Sequence, residues 1–309
     1  MLTITIPTFN RPEHIRRQVR DLLPQLRAET SLIVYDNCSD IPVSSLFTQE
    51  ELSQFIIVRN RFNIGGVANI GKCLAENGET GWIWLLGDDD RIADNAVDFI
   101  LKTINNHQEC CFINFQQKQT KLTSTFLEFL DYMKIIGAFG VSFFQSACLF
   151  NMDKLSPYVM YYYEFISSWV GQIAMVIKYL EHNPNDHCFF TADRIIIDSS
   201  VGGWSHLEII VTSSILIDRF NNQKKIMRKN LFKALGDMDF TILAQEKSSF
   251  STKWFYRSFI IGKLGYINVL KYNKVTYGQY VLSVLLPSKL FARLRACVAM
   301  RYKKYIGSK

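Results

Sequence analysis

Five apolar residues, Trp82-Ile83-Trp84-Leu85-Leu86, run without a break into Gly87-Asp88-Asp89-Asp90. A short, continuous apolar run that stops this abruptly reads as a strand buried on both faces, and such strands belong to parallel sheets covered by helices on each side. The preceding sequence agrees. Residues 2–7 read as a strand, followed by a helix with apolar residues at Ile15, Val19, Leu22, Leu23 and Leu26. Leu32–Tyr35 and Phe55–Val58 read as further strands, and a helix is expected from Val67 to Ala75. Strand, loop and helix in alternation predict an α/β fold, a Rossmann-like, mostly parallel sheet flanked by helices. The polar clusters all fall in loops after strands, at the edge where an open α/β sheet binds its ligand.

The three carboxylates after Gly87 admit two readings. Carboxylates this close raise each other's pKa unless a cation neutralises them, and Mg²⁺ or Mn²⁺ suits such oxygen ligands together with phosphates. The other reading is an acidic helix start, with Asp90 or Asp94 capping a helix that continues through Ala96, Val97, Phe99 and Ile100.

Beyond residue 109 the pattern blurs. Cys111–Phe115 reads as a strand, Phe126–Ile136 and Tyr161–Leu180 as helical, and Phe189–Ile197 includes a strand. From about Leu207 the chain reads as mainly helical. Charge divides the chain as well. Residues 1–218 carry a net −9, whereas residues 219–309 hold 19 Lys and Arg against three acids, a net +16. This split predicts two regions with different partners.

Seven scattered cysteines with no CxxC pair give no zinc framework and fit a reducing compartment. Adjacent Cys110 and Cys111 are expected as small core residues. The N-terminus lacks the basic and apolar segments of a signal peptide. No uncharged apolar run reaches the roughly 18–20 residues of a spanning helix. A cytoplasmic protein is expected. In the basic region, Lys224, Lys225, Arg228, Lys229 and Lys233 interleave with Ile226, Met227, Leu231 and Phe232. Basic amphipathic helices of this kind bind anionic membrane surfaces, each nearby Lys or Arg contributing on the order of 1 kcal/mol. The expected location is therefore peripheral, on the inner face of the cell membrane. No RNA-binding motif accompanies the charge, so no nucleic-acid partner is expected.

Four loops carry chemistry: Pro7-Thr8-Phe9-Asn10-Arg11, Asp36-Asn37-Cys38-Ser39-Asp40, Asn63-Ile64-Gly65-Gly66 and Gly87-Asp88-Asp89-Asp90. Their order and spacing over residues 1–105 resemble glycosyltransferase family 2, nucleotide-sugar enzymes of GT-A fold. The resemblance implies that Pro7 and Thr8 line a nucleotide pocket, with Asn10 and Arg11 in the same loop. It implies that Asp36 contacts the base or ribose, and that Asn63, Gly65, Asp88 and Asp89 also bind the donor. Asp88 and Asp90 would form an Asp-x-Asp motif holding Mn²⁺ or Mg²⁺, with His206, in Gly202-Gly203-Trp204-Ser205-His206, as a third ligand. Inverting relatives use an Asp or Glu as base. This chain has no Glu-Asp pair, and Glu164, ahead of an expected helix, is the best-placed acid, with Asp153 and Asp193 as fallbacks. Two further departures are the missing Arg beside Ala68-Asn69 and Cys38 where a glycine is common.

The resulting expectation is a GT-A catalytic domain over 1–218 and a basic amphipathic helical region over 219–309. Within the first, residues 1–105 would bind the nucleotide sugar and 106–218 the acceptor. The expected reaction is metal-dependent transfer of a sugar, with inversion, from a nucleoside diphosphate to a hydroxyl of a glycan or polyprenyl-linked saccharide, in surface polysaccharide synthesis. Two alternatives stand beside it: a non-catalytic nucleotide-binding or membrane scaffold, and a nucleotidyltransferase. Walker A and GxGxxG patterns are absent, which disfavours kinase and dehydrogenase readings.

Overall fold

Trp82, Ile83, Trp84 and Leu85 do form a strand, and it is buried along its whole length. The computed structural model describes residues 1–77, 81–133, 144–168 and 170–199. Trp169, Trp204, His206 and the basic region 219–309 lie outside them. The strands are β1 (Leu2–Thr8), β2 (Thr30–Asp36), β3 (Ile56–Arg59), β4 (Trp82–Leu85), β5 (Asp90–Ile92), β6 (Cys110–Asn114), β7 (Lys121–Thr123), β8 (Cys148–Asn151), β9 (His187–Phe190) and β10 (Ile196–Ser199). Eight of them build one sheet in the order β3-β2-β1-β4-β8-β6-β9-β7, and β10 pairs with β5 in a small second sheet. β3, β2, β1 and β4 are mutually parallel. β8 runs antiparallel to both β4 and β6, so β6 points the same way as β4.

Helix α1 (Pro12–Leu22) follows β1. Pro12 sits in its first turn, where the missing N–H costs nothing, and Ile15, Val19 and Leu22 face the core. Pro24 prevents the expected continuation to Leu26, and residues 23–25 tighten into a 3₁₀ turn. Short helix α2 (Gln49–Leu52) begins with a capping box between Thr48 and Glu51. α3 (Gly66–Ala75), α4 (Ala96–Asn106) and α5 (Phe126–Tyr132) follow. Ile4, Ile6, Val34, Trp84, Ile100, Ile113 and Leu149 belong to one apolar core.

Three expectations are corrected. β5 intervenes after Asp88-Asp89, so α4 starts at Ala96, with Asn95 at its N-cap and no side-chain cap. Asp90 is therefore a strand residue and neither it nor Asp94 caps the helix. The segment 161–180 is not one helix. A helix over Val159–Glu164, a 3₁₀ turn over Ile166–Ser168 and a helix over Gly171–His182 share it. The two helices approach closely: a Cβ on Gly171 would lie 2.7 Å from the Tyr162 carbonyl oxygen. Glu164 accordingly ends the first of these helices and lies seven residues ahead of the second. Among the described residues no helix is long and apolar enough to cross a membrane.

Candidate active site

Parallel register brings the four loops to one edge. β1 pairs with β4 through Thr5 and Leu85, and the Leu86 amide bonds the Thr5 carbonyl at 3.0 Å. Carried three residues further, that register sets Thr8 beside Asp88. Thr8 Oγ1 donates to Asp88 Oδ2 at 2.7 Å, across 80 residues of sequence. Arg11 Nη1 donates to Asp88 Oδ1 at 2.9 Å and also lies 3.0 Å from Asp89 Oδ2. The first loop thus holds the acidic one by a hydroxyl and a guanidinium.

Asp88 and Asp90 are each only 5% exposed. Burial raises the Asp88 carboxyl above its usual range; the Thr8 hydrogen bond and the Arg11 charge oppose it, and Asp89 adds to it. Asp90 is pushed up to about 6 by burial, then by the charges of Asp89 and Asp88, against a hydrogen bond from Ser146. Ser146 Oγ donates to Asp90 Oδ2. The same Ser146 oxygen accepts the Gly87 amide at 2.9 Å. Gly87 has no room for a side chain, since a Cβ there would stand 2.6 Å from Asp90 Oδ2. Arg17 Nη2 donates to the Asp89 carbonyl at 3.2 Å.

These observations fit a divalent cation. Asp88 already accepts from Thr8 and Arg11, whereas Asp90 is a buried carboxylate whose hydrogen-bond donor is a neutral hydroxyl. Buried carboxylates in this condition are stabilised by a bound cation. Oxygen-only ligands select Mg²⁺ or Mn²⁺ over softer ions.

The second loop is held from within. Asp36 is fully buried; Oδ1 accepts the Ser39 amide at 2.8 Å and Oδ2 accepts Val43 N at 3.3 Å. Arg59, its register partner on β3, donates to Asp36 Oδ2 and to the Ser39 carbonyl. Asp36 therefore shapes the loop over residues 36–43. Asn10 clips the first loop to it: its Nδ2 reaches Asp40 Oδ2 at 3.0 Å, its Oδ1 accepts Asp40 N at 2.7 Å, and its amide donates to Ser39 Oγ. Asn10 has φ of 53° and Cys38 has φ of 65°. The left-handed conformation at Cys38 explains why a glycine suits that position. Between the two loops lies a cleft of about 190 Å³, lined by Thr8, Asn10, Arg11, Ser39, Asp40 and Ile41 among others.

The glycine loop is tied to the second loop by hydrogen bonds among asparagines; Asn63 was expected in the site, but these bonds and Asn60 were not. Asn37 Nδ2 donates to Asn63 Oδ1, and Asn37 Oδ1 accepts from Asn60 Nδ2 and Ile64 N. Asn69 accepts from Asn60 and donates to the Tyr35 carbonyl. Gly65, with φ of 87°, caps α3 in a conformation that requires glycine and faces open space. Pro7 is partly buried at the end of β1. Glu164 is exposed. Its helix is pinned near the start of α3, where Tyr162 Oη donates to the Val67 carbonyl at 2.7 Å. Ser146, Arg17 and Arg59 were also not anticipated. No local pattern marks Ser146, whereas Arg59 is legible as the last residue of β3.

Comparison with known proteins agrees with this arrangement. Residues 3–146 match the model of the family described as Glycosyl transferase family 2. No curated protein matches the chain. Among solved structures, S. aureus TarS 1-349 superposes with a TM-score of 0.60 at 13% identity, over 91% of this chain and 84% of that one. TarS 1-349 in complex with UDP gives 0.55 at 14% identity, over 96% and 87%. A longer S. aureus TarS structure gives 0.54 at 15%, and this chain spans 52% of its length. At these identities the likeness speaks to the fold, which is GT-A. The match to glycosyl transferase family 2 thus spans residues 3–146, which hold all four loops and Ser146.

Proposed function

We propose that this chain is a cation-assisted sugar transferase that moves a sugar from a nucleoside diphosphate to a hydroxyl of a glycan acceptor carried on a polyprenyl lipid. The observation that carries this reading is the buried Asp88–Asp90 pair beside the cleft between the first two loops. The cleft takes the nucleoside, with Thr8, Asn10 and Arg11 on one side and Ser39 to Ile41 on the other. Asp36 acts through the loop it organises. Asp90, with Asp88 and with His206 from outside the described residues, would hold Mn²⁺ or Mg²⁺. A bound cation neutralises charge on the leaving diphosphate. Arg11, half-exposed, keeps N–H donors for a phosphate oxygen. Asn63 and Gly65 would bind the donor from the glycine loop.

We assign the base to Glu164, whose exposed carboxylate would take the acceptor proton as the new bond forms, with inversion. Residues 1–218 would be the catalytic domain, with 106–218 facing the acceptor. The basic region 219–309 would hold the enzyme at the inner, anionic membrane surface, where a polyprenyl-linked acceptor resides. Truncation after residue 218 should abolish flotation with anionic vesicles.

The test incubates the protein with Mn²⁺, a panel of nucleoside diphosphate sugars and a polyprenyl-linked saccharide. One donor should release its nucleoside diphosphate, and Asp90→Ala should slow that release by about 100-fold or more. Release of pyrophosphate, or undiminished turnover in both Asp88→Ala and Asp90→Ala, would contradict the reading.

A further inference from the structure

A second group of metal-ligating side chains stands at the other edge of the sheet. β4 and β6 run in the same direction. Asp88–Asp90 follow the carboxyl end of β4, whereas Cys110 opens β6 at its amino end. There α4 ends at His107, and the Cys110 amide closes a turn onto the His107 carbonyl at 3.1 Å. The turn gathers the His107, Glu109 and Cys110 side chains, whose donor atoms all lie within 4.8 Å of one another.

The separations have the dimensions of a coordination polyhedron. His107 Nδ1 lies 3.6 Å from Glu109 Oε1, and Cys110 Sγ lies 3.9 Å from the same oxygen. Around tetrahedral Zn²⁺, with bonds of about 2.0–2.3 Å, neighbouring ligand atoms stand about 3.3–3.7 Å apart. The two pairs that meet at Glu109 Oε1 need to close by only a few tenths of an ångström, and the third lies within 4.8 Å. Two further facts point to a ligand. Among the described residues, His107 Nδ1 is buried with no hydrogen-bond partner, the nearest acceptor being Glu109 Oε1 at 3.6 Å, an arrangement that costs free energy unless something bonds that nitrogen. The imidazole is also held in orientation, stacked on Phe189 with ring centroids 3.7 Å apart.

The competing cation is occupied elsewhere. Lys154 Nζ contacts both Asp186 carboxylate oxygens at 2.9 and 3.0 Å and bonds the Glu109 main-chain carbonyl, leaving the Glu109 carboxylate to the cluster. Glu109 is exposed and His107 partly so, which gives an ion a route in. Burial, and then the Glu109 charge, raise the Cys110 thiol.

We propose that His107, Glu109 and Cys110 bind a thiophilic divalent cation such as Zn²⁺ at the junction of α4 and β6, with solvent completing the coordination. On binding, the Cys110 S–H proton leaves to water as the sulfur–metal bond forms, and no redox change occurs. Imidazole, carboxylate and thiolate together favour Zn²⁺ over Mg²⁺ or Mn²⁺, which separates this site chemically from the all-oxygen pair at Asp88 and Asp90. The role is structural, a clamp on the turn that leads from α4 into β6. The cysteine spacing gave no sign of it, because the other two ligands are a histidine and a glutamate in one turn.

The test titrates the full-length protein with Co²⁺ as a spectroscopic stand-in for Zn²⁺, and separately follows thermal unfolding with Zn²⁺ or Mg²⁺. A thiolate-to-cobalt charge-transfer band should appear, survive in the Asp88→Asn/Asp90→Asn double variant, and vanish in Cys110→Ser. Zn²⁺ should raise Tm of the wild type, and Mg²⁺ should not reproduce that rise in the double variant. Glu109→Gln changes an exposed side chain and should weaken Co²⁺ binding by about tenfold or more. Absence of the band in the folded wild type, its persistence in Cys110→Ser, or unchanged affinity in Glu109→Gln would overturn the assignment. Because the band requires a thiolate, none of these results depends on the sugar-transfer reading.

Discussion

Thr8 and Asp88, 80 residues apart in the chain, are joined by a 2.7 Å hydrogen bond at the carboxyl edge of two parallel strands. The bond is a consequence of register: once Thr5 pairs with Leu85, the residues three positions on must meet. It fixes one oxygen of Asp88 and leaves Asp90 with less compensation. Thr8→Val keeps the shape of the side chain and removes the donor. It should weaken nucleotide binding by about fivefold, in line with about 1 kcal/mol for one hydrogen bond. Isothermal titration of the variant checks this, and unchanged affinity would contradict it.

Asp90 predicts a pH dependence. Its folded-state carboxyl is raised to about 6, so its contribution to stability is complete below the ordinary carboxyl range, near pH 4, and is lost as pH rises through about 6. Above that pH the metal-free protein carries a buried negative charge. Asp90→Asn removes it. In EDTA the variant should match the wild type near pH 4 and be more stable at pH 7.5, by at most about 3 kcal/mol at 1.36 kcal/mol per pKa unit. Added Mn²⁺ should stabilise the wild type and not the variant. Thermal unfolding at the two pH values, with and without Mn²⁺, reads out both effects.

Gly87 is where a single methyl should matter. A Cβ there would press on Asp90 Oδ2 at 2.6 Å, and that oxygen is also held by Ser146. Gly87→Ala should displace the carboxylate and lower Mn²⁺ affinity by about tenfold or more, as loss of a supporting contact does at metal sites. Fluorescence or calorimetric titration of Mn²⁺ measures it, and wild-type affinity in a folded variant would count against the assigned geometry.

Arg59 predicts a stability effect. Its removal in Arg59→Ala leaves Asp36 fully buried with, among the described residues, only backbone amides as donors. The guanidinium is more than a third exposed, which discounts the pair to about 1–3 kcal/mol. Urea unfolding should show that loss, together with a weaker nucleotide site because the loop over 36–43 forms its wall.

The parts of the fold legible in sequence were those with long periodic signals. α1 shows its buried face as Ile15, Val19 and Leu22, and β4 shows itself as an apolar run ending at Gly87. β5, β7 and β8 were not visible, since three or four residues carry no period that separates a strand from a loop or a buried helix turn. The break in 161–180 had one signal, Gly171, whose role appears only when Tyr162 is seen against it. In the site, the acidic cluster and the loops were legible because each follows a strand. Ser146 was not, as it reaches Asp90 from 56 residues away, and the Asn37, Asn60, Asn63 and Asn69 network was hidden because each asparagine alone reads as a turn residue.

The most direct measurement is calorimetric binding of UDP, GDP, CDP and dTDP, each with and without Mn²⁺, to the full-length protein and to Asp90→Ala. One nucleotide should bind tightly in the presence of Mn²⁺, and both the affinity and its dependence on Mn²⁺ should be lost in Asp90→Ala. A folded wild-type protein that binds none of the four, or binds one equally well without Mn²⁺ and without Asp90, would contradict the cation-assisted donor site.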